Sequence, residues 1–135
     1  MKSWLILGLM ACAVPMAAVA LDDETPSIKK VMTTLHKGST SQSSKLKKQV
    51  QADPPDWEAI GKTTKDFVIL GAAMAKNDPP KGDKEEWKKL AEKYFNNAKA
   101  LDDAATAHDI DKVKAAQKSM GASCKTCHDA HKDDK

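Results

Sequence analysis

Three residues near the end of the sequence could do chemistry together. They are Cys124, Cys127 and His128, in the run Gly121-Ala-Ser-Cys-Lys-Thr-Cys-His-Asp-Ala-His131. On a helical turn, thiols three residues apart lie on one face. Both can then form thioether bonds to the two vinyl groups of a single porphyrin, and C-x-x-C-H is the spacing that does so. The next residue, His128, comes under the iron and offers an imidazole nitrogen as an axial ligand. Two other chemistries use paired cysteines. A tetrahedral zinc site needs two further ligands, which His128 and His131 could supply only by crowding all four into Cys124–His131. A redox dithiol belongs near a strand–helix–strand pattern, and no segment here alternates with period two. The residues therefore favour one covalently attached haem c.

An iron bound by His128 has a second axial position, and its occupant decides what the centre can do. Met32 is the first candidate, because a thioether there gives a stable six-coordinate iron suited to electron transfer. The competing reading is a core methionine, since Met at helical spacing is usually filler. His36 lies one turn on, roughly on the same face, and is the alternative distal ligand. Met74 and Met120 are further thioethers. Met120, one turn before Cys124, is expected to pack against the ring edge. His108 and His131 read as surface residues, with His131 near enough to the attachment site to touch haem.

The elements that must position these groups read as helices. Thr25-Pro26 is a good opening, with Thr as cap and Pro at the first helical position. Ile28, Val31, Met32 and Leu35 form one apolar stripe, and Gly38 closes the helix. Gly38 to Ser44 reads as a polar surface loop, and Lys45 to Gln51 as a short extra helix. Asp53-Pro54 restarts the chain for a helix carrying Trp57, Ile60, Thr64, Phe67, Gly71 and Met74. Gly71 predicts close approach of a neighbouring helix or of the porphyrin. Asp83 with Glu86 forms a capping-box pattern and opens a helix running to about His108. Its stripe is Trp87, Leu90, Ala91, Tyr94, Ala98, Leu101 and Ala105. Asp109 opens the last helix, where Val113, Ala116, Met120, Cys124 and Cys127 share one face. Four amphipathic helices with short connections predict an all-α antiparallel four-helix bundle, with haem in the core near the C-terminal helix.

The haem reading demands an extracytoplasmic location, and the N-terminus meets it. Residues 1–20 read as a signal peptide: Lys2 precedes an apolar run from Trp4 to Val19, and Ala18-Val19-Ala20 fits the small-x-small cleavage rule. Residues 21–135 then form one domain. Pro15 and the shortness of the run argue against a retained membrane anchor. A lipidation site at Cys12 would leave a very short apolar core. Lys and Arg together number 22 against 19 acidic residues, a net charge of +3, and every basic side chain is lysine. That mild, dispersed charge argues against nucleic acid and fits solvated helix faces or steering toward an acidic redox partner.

A leader, four helices and a late Cys124-x-x-Cys127-His128 together resemble the cytochrome c′ family, the class II cytochromes c. Lys29-Lys30-Val31-Met32 resembles the helix-one motif of the low-spin branch, with Met32 at the ligand position and Lys29 where the family commonly has Arg. The resemblance implies an electron carrier in the periplasm between redox partner proteins, with no enzymatic activity. Its high-spin branch presents an apolar side chain instead and binds nitric oxide or carbon monoxide, which is the alternative function. Lys29, Met120 and His131 are the expected further haem contacts, and the family also implies pairing of two copies through helices one and two. No nucleophile–base pair is legible. A weak peroxidase would have only His36 as distal base.

Overall fold

The structure, a computed structural model, describes residues 24–133. The signal-peptide and lipidation expectations therefore lie outside the described residues. Among the described residues five helices follow in order: α1 (Ile28–His36), α2 (Gln42–Gln49), α3 (Trp57–Met74), α4 (Lys84–Thr106) and α5 (Ile110–His131). Among the described residues there is no strand. Nor is any helix long and apolar enough to cross a membrane.

Every helix is opened by a short polar side chain that accepts from the backbone N–H three residues on. The caps are Ser27, Ser41, Asp56, Asp83 and Asp109. Each such cap stabilises its helix by about 1 kcal/mol. Asp83 and Asp109 are where the sequence predicts them, and the other three openings differ. α1 starts at Ile28 with Ser27 as its cap, because the Asn77 amide donates to the Pro26 carbonyl at 2.9 Å and holds Pro26 outside the helix. α3 is capped by Asp56, not Asp53. Pro55 disfavours the helical region for Pro54, so the helix can begin only beyond the proline pair. The polar stretch after Gly38 is also more ordered than a loop. Ser41 is buried and caps α2, which starts three residues before the expected Lys45.

α3, α4 and α5 pack in sequence as antiparallel neighbours, and α1 and α2 pack on α3 and on each other. A Cβ on Gly71 would sit 3.2 Å from Tyr94 Cε1 and 3.6 Å from Ala98 Cβ, so the close approach expected there is that of α4. The α4–α5 corner is made by His108 at φ 54°, with His108 N–H donating to Ala105 O and Asp109 N–H to Ala104 O. This is the Schellman pattern, with His where Gly is usual. His108 is exposed, as expected, and stacks on Trp57 at 4.8 Å between ring centroids.

The core is formed by Val31 and Leu35 of α1, Leu46 of α2, Ile60, Phe67 and Met74 of α3, Trp87, Tyr94 and Leu101 of α4, and Val113 and Met120 of α5. Four helices of the bundle and the short α2 thus share one apolar interior, the all-α four-helix architecture that the periodicity predicts.

Candidate functional site

The last turns of α5 carry Cys124 and Cys127 as free, half-buried thiols, with His128 exposed beside them. Burial first, then the neighbouring Cys124 and Glu86, push the Cys127 thiol up from its ordinary pKa. Only Val113, Met120 and His131 of α5 are buried. The helix packs on α4, and its backbone does not come within contact distance of α1.

Between them lies a cavity of about 280 Å³. Cys124, Met120, Gly121 and Gln117 of α5 form one wall. His36, Phe67, Leu101 and the first turns of α2 form the others. Its thiol-bearing wall and its apolar Phe67, Leu101, Leu46 and Met120 surfaces have the donor chemistry that a covalently held porphyrin needs. Cys124 is on this wall, whereas Cys127 and His128 sit on the same turns of α5 outside its lining; two sulfurs three residues apart could take the vinyl groups and the His128 imidazole the iron.

His36 is the polar group of this cavity. Its Nε2 lies 2.8 Å from the Tyr94 hydroxyl and its Nδ1 lies 2.8 Å from the Ser43 hydroxyl. The ring meets Phe67 and Tyr94 edge-on, at 5.8 and 5.9 Å between centroids. Burial, and secondarily His128, push the His36 pKa below its ordinary value, so the ring is neutral near pH 7. One ring nitrogen then accepts an O–H and the other donates its N–H. Burial, with Cys124 second, pushes the Tyr94 pKa far above the phenol range, so its hydroxyl keeps its proton.

Met32 is half-buried and packs against the hydrophobic core, outside the residues that line this cavity. His36 is hydrogen-bonded to Tyr94, and His36 and Cys124 line the same cavity. The start of α1 is tied to Asn77 at the end of α3, and the end of α5 is tied to Lys81 in the next turn. Met120 is buried on the cavity wall. Met74 is buried near the α3 end and Lys29 is exposed; neither lines the cavity.

His131 corrects the sequence reading: it is 1% exposed, not a surface residue. Its Nδ1–H donates to the Lys81 carbonyl at 3.0 Å, and its ring meets Trp87 edge-on at 5.4 Å. Among the described residues its buried Nε2 has no hydrogen-bond partner, and Glu86 Oε2 lies 3.9 Å away. Gly82, at φ 85°, leaves the space this ring needs, since a Cβ there would sit 2.8 Å from His131 Nδ1. Trp87 Nε1–H in turn donates to Asn77 O at 2.8 Å, and Asn77 holds Pro26. A continuous set of contacts thus links the end of α5 to the start of α1. Tyr94, Ser43 and Gly82 are the positioning residues that sequence reasoning missed. The one available signal was the phenol of Tyr94, which needs a polar partner when buried.

The cytochrome c′ family model matches residues 82–132. A cytochrome c′ of Alcaligenes xylosoxydans xylosoxydans is 42% identical over 50 residues, covering 37% of this chain and 39% of that protein. The match thus spans about two fifths of the relative's length. No solved structure matches. The matched segment contains α4, α5 and the whole Cys124–His128 motif, and over that segment this chain is similar to the cytochrome c′ family.

Proposed function

We propose that the protein is an extracytoplasmic one-electron carrier, with a single haem c held by Cys124 and Cys127. His128 is the proximal ligand and Met32 the distal one. The observation that carries this reading is the Cys124–His128 turn of α5 standing across one cavity from α1, the helix that bears Met32 and His36. When bound, the haem supplies the reversible Fe(II)/Fe(III) couple. The chain's own task is to hold the donors, exclude bulk water with Phe67, Leu101 and Met120, and keep the coordination unchanged between oxidation states. A thioether raises the potential by favouring the reduced iron. The partners are redox proteins, and the dispersed lysines would steer an acidic one. Nothing in this role uses nucleic acid, a membrane insertion or a catalytic base.

A second reading rests on one observation: Met32 packs on the core and is not on the cavity wall. If it is only filler, the sixth position is open and the protein binds nitric oxide or carbon monoxide. The absorption spectrum of the exported, haem-loaded protein with and without carbon monoxide separates the two. The carrier reading expects a low-spin reduced spectrum indifferent to the gas, and a Met32→Ala variant that becomes high-spin and binds it. A wild-type spectrum that already shifts with carbon monoxide overturns the carrier reading and favours the second.

A further inference from the structure

α1 carries two metal-binding side chains one turn apart, Met32 and His36: His36 lines the cavity, and Met32 packs on the core outside its lining. Imidazole is an excellent ligand for haem iron and competes well with a thioether. Two ligands so placed need something to decide between them. His36 is not free to move. Its ring is held at both nitrogens, by Ser43 from α2 and by Tyr94 from α4, each at 2.8 Å. It is also wedged edge-on between Phe67 and Tyr94. An imidazole nitrogen has one lone pair or one hydrogen to give, so a nitrogen engaged with a hydroxyl must release it before binding a metal. Releasing Tyr94 would leave a hydroxyl unsatisfied on a residue that is 8% exposed, which is unfavourable.

We propose that the Tyr94 hydroxyl is a ligand-selecting lock: by holding His36 Nε2, it reserves the sixth coordination position for Met32. Tyr94 is then a positioning residue that acts through His36. The lock rests on the Met32 reading above, and it makes a claim that reading does not. The unused imidazole is an active competitor, kept out by one hydrogen bond.

Tyr94→Phe removes the hydroxyl and leaves the ring that packs beneath Gly71 and against His36. The test compares three haem-loaded proteins: wild type, Tyr94→Phe, and Tyr94→Phe combined with His36→Ala. Each is read by ferric near-infrared absorption, electron paramagnetic resonance and midpoint potential, with circular dichroism to confirm helicity. Wild type is expected to show the thioether-to-iron charge-transfer band. Tyr94→Phe is expected to lose that band, acquire a bis-imidazole resonance signature and fall in potential. The double variant is expected to regain the thioether band, an outcome that general loosening of the bundle cannot produce. If wild type has the thioether band and Tyr94→Phe keeps it, or becomes an open high-spin centre, the lock is overturned while the Met32 reading stands. If wild type lacks the band, the Met32 reading fails and the lock fails with it.

Discussion

Gly82 and Gly38 provide a controlled comparison within one chain. Both have left-handed backbone, at φ 85° and 84°. An alanine at either position incurs the same left-handed strain, about 1–2 kcal/mol. Their surroundings differ. A Cβ at Gly38 meets nothing within 4 Å, whereas one at Gly82 would sit 2.7 Å from the Ala130 carbonyl oxygen and 2.8 Å from His131 Nδ1. The first of these is backbone and cannot rotate away, and His131 is fully buried with no room to swing. Gly82→Ala must therefore displace the end of α5 and break the His131–Lys81 hydrogen bond. That loss adds about 1–3 kcal/mol, because a buried polar group is left without its partner. Gly38→Ala is expected to destabilise by about 1–2 kcal/mol, and Gly82→Ala by about 2–5 kcal/mol, the sum of the strain and the broken contact. Urea unfolding followed by circular dichroism at 222 nm, about the usual helical wavelength, measures both with unchanged slope. Equal losses in the two variants would refute the argument, since they would mean that the packing of His131 over Gly82 contributes nothing.

Other outcomes follow from the same geometry. Burial lowers the folded pKa of His36 from the ordinary 6.5, so the unfolded chain takes up the proton first. Stability is then full above the unfolded value, falls as the pH drops from 6.5 toward the depressed folded value, and levels off below it. Thermal midpoints measured across that window should show this slope in wild type and lose it in His36→Gln. Trp87→Phe removes the N–H that reaches Asn77 O and Met74 O. It should cost about 1–3 kcal/mol in urea unfolding, and an unchanged midpoint would show that the link between α5 and α1 through Asn77 is idle.

Which of these features could be read from the chain depends on how local their causes are. The placing of Cys124, Cys127 and His128 together on α5 was legible because thiol spacing and the adjacent imidazole are a matter of one helical turn. Asp83, Asp109 and Gly38 were legible for the same reason, since a cap acts within three or four residues. Thr25 and Asp53 misled because the true openings depend on groups those positions do not contain. At α1 the deciding group is the Asn77 amide, and at α3 it is the second proline. His131 misled further. Its neighbours Asp129, Lys132 and Asp133 look like a solvated helix end, while its burial is imposed by the turn at Lys81 and Gly82, 50 residues away in sequence. The pairing of His36 with Tyr94 spans 58 residues. Periodicity placed both on inward faces, but a face does not name its partner.

The distal side of the proposed centre depends on an element that cannot hold itself. α1 has nine residues and buries only Val31 and Leu35, and a helix of that length is marginal alone in water. Two apolar side chains press it onto α3 but leave sliding and rotation weakly opposed, because hydrophobic contact is non-directional. Direction comes from the polar bonds at its ends. Asn77 holds Pro26 at the start, and Tyr94 with Ser43 holds His36 at the finish. Met32 lies between these two attachments. A carrier must offer the iron the same sulfur in both oxidation states, so α1 must not shift when the charge on the iron changes. That requirement falls on the hydrogen bonds of Asn77 and Tyr94, more than on the core. A variant that keeps every buried methyl group and loses one of those bonds should therefore disturb the haem spectrum before it disturbs the fold.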